Sequence, residues 1–223
     1  MLHSGSRNFG YKIAKTYHEK AKQLCERWFS DIPHPDLAFL PIETPEAKEY
    51  FEAMNYAMLF AKASRALMMF RFKSIVADIL KCEFLDEFDV HHNFARWESH
   101  FKQNVIVHRK GAISAKEGEL GIIPGSQGTK SYITRGLGNR ESFTSCSHGA
   151  GRTMGRKQAQ IELSLDQQKG ILDKKNIVHS IRNVSDLDEA PGAYKPIDEV
   201  MDAQKDLVEI IVELTPLGVM KGG

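Results

Sequence analysis

The run His148-Gly149-Ala150-Gly151-Arg152 places an imidazole among residues with almost no side chain and closes with a guanidinium. Glycine and alanine let a backbone come close to a ligand and turn its N–H groups toward an anion. The planar donor fork of arginine suits phosphate. Histidine is the one group in the run that can act as nucleophile, base or metal ligand near neutral pH. The pentapeptide therefore reads as a phosphate cradle with a reactive imidazole in it. The competing reading is a tight structural turn around a hydrogen-bonded histidine.

Five other segments could carry chemistry, each with a plainer alternative. His3-Ser4-Gly5-Ser6-Arg7 could bind an anion, with His3 as a metal ligand, or it could be a frayed tail. His91-His92-Asn93 ends a predicted strand. Successive strand side chains face opposite ways, so one histidine would enter a site with Asn93 as a hydrogen-bonding neighbour. The alternative is one core and one surface histidine. Residues 104–111 read as a strand that delivers Arg109 and Lys110 to a glycine turn, as a phosphate clamp or as a solvated end. Residues 123–129 (IPGSQGT) form a donor-rich turn that could read a purine edge, or a plain hairpin loop. The stretch 216–223 is apolar up to Lys221, whose ammonium could reach a ligand or belong to a tail.

The elements that must position these groups follow from composition and periodicity. The chain has 223 residues, 42% apolar and 26% charged, as expected for a globular core of one large or two small domains. A formal charge of +1 confines any nucleic-acid surface to a local patch. No apolar run approaches the roughly 18–20 residues of a membrane span, and the N-terminus lacks the apolar core of a signal peptide. Cys25, Cys82 and Cys146 are widely spaced and odd in number. They suggest a reducing compartment, with cytoplasm the default, and neither a disulfide framework nor a zinc site.

Residues 8–30 carry apolar side chains at helical spacing (Tyr11, Ala14, Tyr17, Ala21, Leu24, Trp28). The proline-rich stretch 31–41 predicts a loop. Thr44 is a good N-cap with Pro45 in the first turn, and the helix that follows extends to Leu80, about 55 Å if unbroken. Its Met54, Met58, Leu67, Met68 and Met69 read as a methionine-rich core face in preference to a cofactor box. Strands are expected at 88–93, 104–109, 121–123, 131–134, 207–214 and 218–221. Helices are expected at 155–168 and 196–204, and irregular chain at 173–195 with a turn at Pro191-Gly192. Helices precede strands without βαβ alternation, so the expected class is α+β.

Seven segments together resemble the RtcB family of RNA ligases: residues 3–10 (HSGSRNFG), 89–95 (DVHHNFA), 107–113 (VHRKGAI), 121–132 (GIIPGSQGTKSY), 145–156 (SCSHGAGRTMGR), 189–201 (EAPGAYKPIDEVM) and 218–223 (GVMKGG). They stand in the family's order and run through the chain. The resemblance implies a mixed-sheet fold with long helices. It implies joining of RNA 3′-phosphate or 2′,3′-cyclic phosphate ends to 5′-hydroxyl ends, using GTP and two Mn²⁺ ions. RNA repair or tRNA splicing would be the setting, and an archease-like activator a partner. His148 matches the nucleophile that forms a histidine–GMP intermediate. His3 and His92 match metal ligands. Asn93, Pro124, Gly125, Ser126, Gln127, Ser131, Gly149, Ala150, Gly151, Tyr194 and Lys221 match nucleotide-binding positions. Arg109 and Arg152 are assigned to RNA or triphosphate charge by inference from their type.

Gln127 stands where the family often has methionine, and Gly155 where serine is frequent. The aspartate, cysteine and further histidine of the family's metal site, and its Asn-His-Phe-x-Glu segment, do not occur in this chain. The expectation is therefore that residues 1–223 are the C-terminal part of a single RtcB-like ligase domain, with the N-terminal part absent and the fragment inactive alone. A non-catalytic remnant that binds nucleotide or RNA weakly is the alternative. A third reading is a phosphoesterase or nucleotide-transfer enzyme on the same scaffold.

Overall fold

The structure is a computed structural model that describes residues 1–221. The last two glycines of the GVMKGG segment lie outside the described residues. The chain divides into two compact units, Met1–Asp89 and the residues from Val90 onward. No helix among the described residues is long and apolar enough to cross a membrane.

The first unit is a helical pair, α1 (Phe9–Arg27) and α2 (Pro45–Leu80), with a 3-10 turn at Pro35–Leu37 in the predicted loop. The α1 start is fixed by Ser6, whose Oγ accepts from Gly10 N at 2.7 Å. At the start of α2, Thr44 Oγ1 accepts from Ala47 N at 3.2 Å, as its N-cap position predicts. The α2 helix stops where Lys81 turns left-handed (φ 51°). Phe9 meets Tyr56 and Phe60 edge-on at 5.7 and 5.8 Å, and Tyr17 lies 5.3 Å from Tyr50. Small residues set the approach of the two helices: Ala21 and Cys25 on α1, Ala47, Ala57 and Ala61 on α2.

The expected methionine core face is only partly built. Met54 is 9% exposed, whereas Leu67 is 53% and Met68 39% exposed. Past Ala61 the helix buries none of its described residues, so an apolar row including Phe70, Ile75 and Ile79 faces outward. Near the end of the unit Arg65 grips Asp89 with two parallel bonds, of 2.5 and 2.7 Å.

The second unit runs β1 (Asn93–His100), β2 (Gln103–Lys110), β3 (Ala112–Ser114), β4 (Leu120–Ile123), β5 (Ser131–Gly136), β6 (Ser145–Ser147), α3 (Arg156–Glu162), α4 (Leu165–Asp173), β7 (Val178–His179), α5 (Ile197–Asp202), β8 (Val208–Leu214) and β9 (Gly218–Val219). Short 3-10 turns cover Val184–Glu189 and Pro191–Ala193. The β1 and β2 strands form an antiparallel hairpin, β3 pairs with β6, β4-β5-β8 make an antiparallel sheet, and β7 runs parallel to β9. One core cluster centres on Ile113, Ile123, Tyr132 and Val208, and a second on Leu172, Ile181 and Leu187. This mixture of helix and mostly antiparallel sheet is compatible with the α+β class.

Three local expectations are corrected. Residues 88–92 form no strand. The β1–β2 register closes at Asn93 opposite Lys110, and the chain then turns at Gly111 (φ 74°), so the strand ladder ends there. The expected helix over 155–168 is two helices, because Ser164 caps α4, its Oγ accepting from Gln167 N at 3.4 Å. The segment 173–195 is less irregular than expected, since it holds β7 and both 3-10 turns.

Candidate active site

His148 follows β6 directly, so the β3–β6 pair carries it. Ser147 Oγ closes the turn behind it, donating to Gly149 O at 2.6 Å and accepting from Gly149 N at 3.4 Å. Ala150 N donates to Pro124 O at 2.9 Å, and a Cβ on Gly149 would stand 3.1 Å from that same oxygen. On the far side Gly151 (φ 72°) accepts from Lys195 N at 3.0 Å, and Thr153 N donates to Ala193 O at 3.0 Å. The cradle is thus pinned between the loop after β4 and the segment before α5.

The half-buried His148 ring stacks on His92, with centroids 5.4 Å apart and planes at 19°. Gly111 lies against its edge, where a Cβ would sit 3.5 Å from His148 Cε1, and Gly111 N holds the His92 carbonyl at 3.3 Å. His148 Nδ1 is buried and makes no hydrogen bond among the described residues. Leaving a buried polar atom unpaired costs about 1–3 kcal/mol, so such an atom marks a place where a ligand can be engaged.

The donor-rich loop spends much of its polarity on its own shape. Gly125 N donates to Ser131 Oγ at 3.3 Å and Ser126 N to Thr129 Oγ1 at 2.7 Å. A Cβ on Gly125 would fall 2.1 Å from Lys130 O, so only glycine fits there. Gln127 is buried. Its Nε2 donates to Glu189 O at 2.8 Å, while its Oε1 has no hydrogen-bond partner among the described residues.

A third group surrounds Glu189. Tyr194 OH donates to Glu189 Oε2 in a very short bond. Arg152 Nη1 lies 3.5 Å from Glu189 Oε1 and 3.4 Å from Tyr194 OH, with its guanidinium carbon 5.1 Å from the Tyr194 ring centre. Lys221 Nζ stands 3.7 Å from Glu189 Oε2 and Arg156 Nη2 3.1 Å from Oε1. Burial, and then the Glu189 carboxylate, push the Tyr194 phenol up to about 12. Sequence reasoning missed Glu189. The available signal was the cationic set Arg152, Arg156 and Lys221, which needs a counter-charge.

Arg109 turns away from the role that its type suggested. It is 2% exposed, and its donors go to Glu98 (2.6 and 3.0 Å), Ser145 Oγ (3.0 Å) and the carbonyl of Phe143 (3.0 Å). The strand pleat points it inward, where Glu98 neutralises it. Burial works against the Glu98 carboxylate, but hydrogen bonds from Arg109, Arg96 and His100 outweigh it and hold its pKa well below the usual range. Arg109 therefore ties β2 to β1 and to the chain entering β6.

Asn93 opens β1, next to His92. His3 lies in the first unit and His92 in the second, and each has interactions of its own. Among the described residues no three His, Cys, Asp or Glu side chains gather to hold a metal ion. Manganese takes imidazole and carboxylate ligands, and the described residues do not assemble a complete set.

Residues 1–222 match the family model described as tRNA-splicing ligase RtcB. The chain is 40% identical over 229 residues to the RNA-splicing ligase RtcB of Escherichia coli K12, which covers 100% of the chain and 55% of the relative. The Mycobacterium tuberculosis RNA-splicing ligase RtcB is 33% identical, with 100% of the chain and 56% of the relative covered. The Thermococcus kodakarensis tRNA-splicing ligase RtcB is 32% identical, with 100% and 52% covered. The chain spans about half the length of these curated relatives.

Proposed function

The chain belongs to the RtcB family, and from that premise we propose that it supplies the nucleophile and nucleotide pocket of a GTP-dependent RNA ligase. In this reading an imidazole nitrogen of His148 attacks the α-phosphorus of GTP, the bond to the β-phosphate oxygen breaks, and pyrophosphate leaves. The GMP passes to an RNA 3′-phosphate, freeing the imidazole. The RNA 5′-hydroxyl then attacks that phosphate, a phosphodiester forms, and GMP leaves with the bridging oxygen. The activation is needed because an oxygen of a bare phosphate monoester is a poor leaving group. A 2′,3′-cyclic end must first be opened to the 3′-phosphate.

The chain's own residues divide this work. Gly149, Ala150 and Gly151 bring backbone close to phosphate beside His148, in a turn anchored on Pro124 and Lys195. Arg152 offers charge to phosphate. Pro124, Gly125, Ser126, Gln127 and Ser131 shape one wall of the nucleotide pocket, with Tyr194, Lys221 and Asn93 as further contacts. His3 and His92 are the two positions proposed as manganese ligands. They do not make a site alone, and no step is derived through the metal.

The observation that carries this reading is the His148 ring. It is stacked on His92 and held at the mouth of a glycine turn, and its buried Nδ1 makes no bond within the described residues. The test joins this chain to the portion of the Escherichia coli relative that it does not span. RNA with a 3′-phosphate is supplied together with RNA bearing a 5′-hydroxyl, plus GTP and Mn²⁺. The joined polypeptide should seal the ends and its His148→Ala form should not. Equal sealing by both would remove His148 from the chemistry.

One observation favours a second reading, a chain that binds nucleotide or RNA without catalysis: no three-ligand metal group forms among the described residues. The same assay separates the two, since that reading predicts no product from the joined polypeptide.

A further inference from the structure

We propose that Glu189 is a positioning residue that holds Tyr194, Arg152 and Lys221 in one arrangement for the nucleotide; the inference rests on the reading that these residues line the GTP pocket. Glu189 closes the 3-10 turn Val184–Glu189 and is followed by the fully buried Ala190, so its backbone is fixed. The side chain is only 22% exposed.

Its two oxygens do different work. Oε2 takes the Tyr194 hydroxyl and lies 3.7 Å from the Lys221 ammonium. Oε1 faces Arg152 Nη1 at 3.5 Å and Arg156 Nη2 at 3.1 Å. The backbone carbonyl fixes the Gln127 amide at 2.8 Å. Since a carbonyl can only accept, this bond also sets which end of the amide is the nitrogen. One residue thus joins groups from the loop after β4, the cradle, the segment before α5 and the chain after β9.

The consequence for Arg152 is specific. Its Nε is held by Met154 O at 3.0 Å, and its Nη1 by Glu189 and Tyr194. The remaining Nη2 is buried and makes no hydrogen bond among the described residues. A guanidinium anchored at two corners presents the third in a fixed direction, which lowers the ordering cost of binding. Asp188 also lies 4.0 Å from Arg156 Nε, so Arg152, Arg156 and Lys221 face two carboxylates and the cluster keeps one net positive charge, as a phosphate ligand requires.

The test compares the intact chain with Glu189→Gln, which keeps the shape and removes the charge. Two readouts are used. The first is ionisation of Tyr194, followed by tyrosinate absorbance as the difference between each protein and its Tyr194→Phe counterpart. The second is affinity for GMP, measured by calorimetry. With the carboxylate gone and Arg152 still beside the ring, Tyr194 should titrate about one pH unit lower. GMP should bind about tenfold more weakly. Glu189→Asp keeps the charge and should recover part of both effects, which a residue that merely closes its turn would not show. If the intact chain binds GMP, and Glu189→Gln binds it equally well with Tyr194 unchanged, the positioning role is wrong and the nucleotide reading stands. If the intact chain binds no GMP, the nucleotide reading fails and the positioning role falls with it.

Discussion

The two units use apolar residues in opposite ways. In the second, β-branched and aromatic side chains such as Ile113, Ile123 and Tyr132 are almost fully buried between sheet and helix. In the first, the buried set is dominated by alanine, and the large side chains of α2 beyond Ala61 face outward. Burying a Val, Leu or Ile side chain is worth about 1.5–3 kcal/mol. The second unit therefore has the means to hold strained turns such as those around Gly125 and Gly151, and the proposed chemistry is built on those turns. The first unit has no comparable reserve, and its outward apolar row is the kind of surface that associates.

This contrast is broken most severely at the buried charges of the second unit. Glu98→Gln strands Arg109 without its counter-ion and should cost about 3–5 kcal/mol. Unfolding can be followed by the Trp97 signal in a Trp28→Phe background, since these are the chain's 2 tryptophans, one in each unit. The pH dependence has a defined sign. The folded pKa of Glu98 lies below its ordinary 4.5, so its contribution is complete above about pH 4.5 and is lost as the pH falls toward the folded value. Acid should therefore weaken the intact unit more steeply than the Gln variant. Equal slopes would mean that the carboxylate is not held as described.

Gly125→Ala probes the loop that anchors the cradle. Its Cβ would meet Lys130 O at 2.1 Å, a backbone atom that cannot swing away. Overpacking of this kind costs about 1–3 kcal/mol, to be read from the urea midpoint of the same Trp97 signal. The smallest effect is expected in the first unit, beyond Ala61. Leu67→Ser should change stability by no more than about 0.5 kcal/mol, whereas Met54→Ala should cost about 2 kcal/mol. Trp28 fluorescence in a Trp97→Phe background reports both. If Leu67→Ser costs as much as Met54→Ala, the outward row is packed and the contrast between the units fails.

The sequence made the local devices legible where residue type dictates backbone. Thr44-Pro45 announces α2, and the glycines around His148 and Pro124 announce tight turns. Charge networks closed by distant residues were harder to read. Arg109 looks like a solvated strand end or a phosphate clamp, because nothing near it in the chain shows Glu98 waiting across the hairpin. The inward Glu98 also breaks the apolar alternation that would have revealed β1. Glu189 escaped for the same reason, since its partners lie in segments as distant as Gln127 and Lys221. The helix break at Leu163 was available in Ser164, whose capping power competes with a continuous helix.

The central claim, that His148 is a nucleophile toward GTP, is tested most directly by trapping its adduct. The polypeptide that joins this chain to the unmatched portion of the Escherichia coli relative is incubated with GTP labelled at the α-phosphate and Mn²⁺, then denatured. Label should remain on the protein through a phosphoramidate bond that acid cleaves and alkali spares. The label should map to the peptide carrying His148 and vanish in His148→Ala, and the present chain alone should stay unlabelled. Label that persists in His148→Ala, or that maps to another residue, would contradict the account.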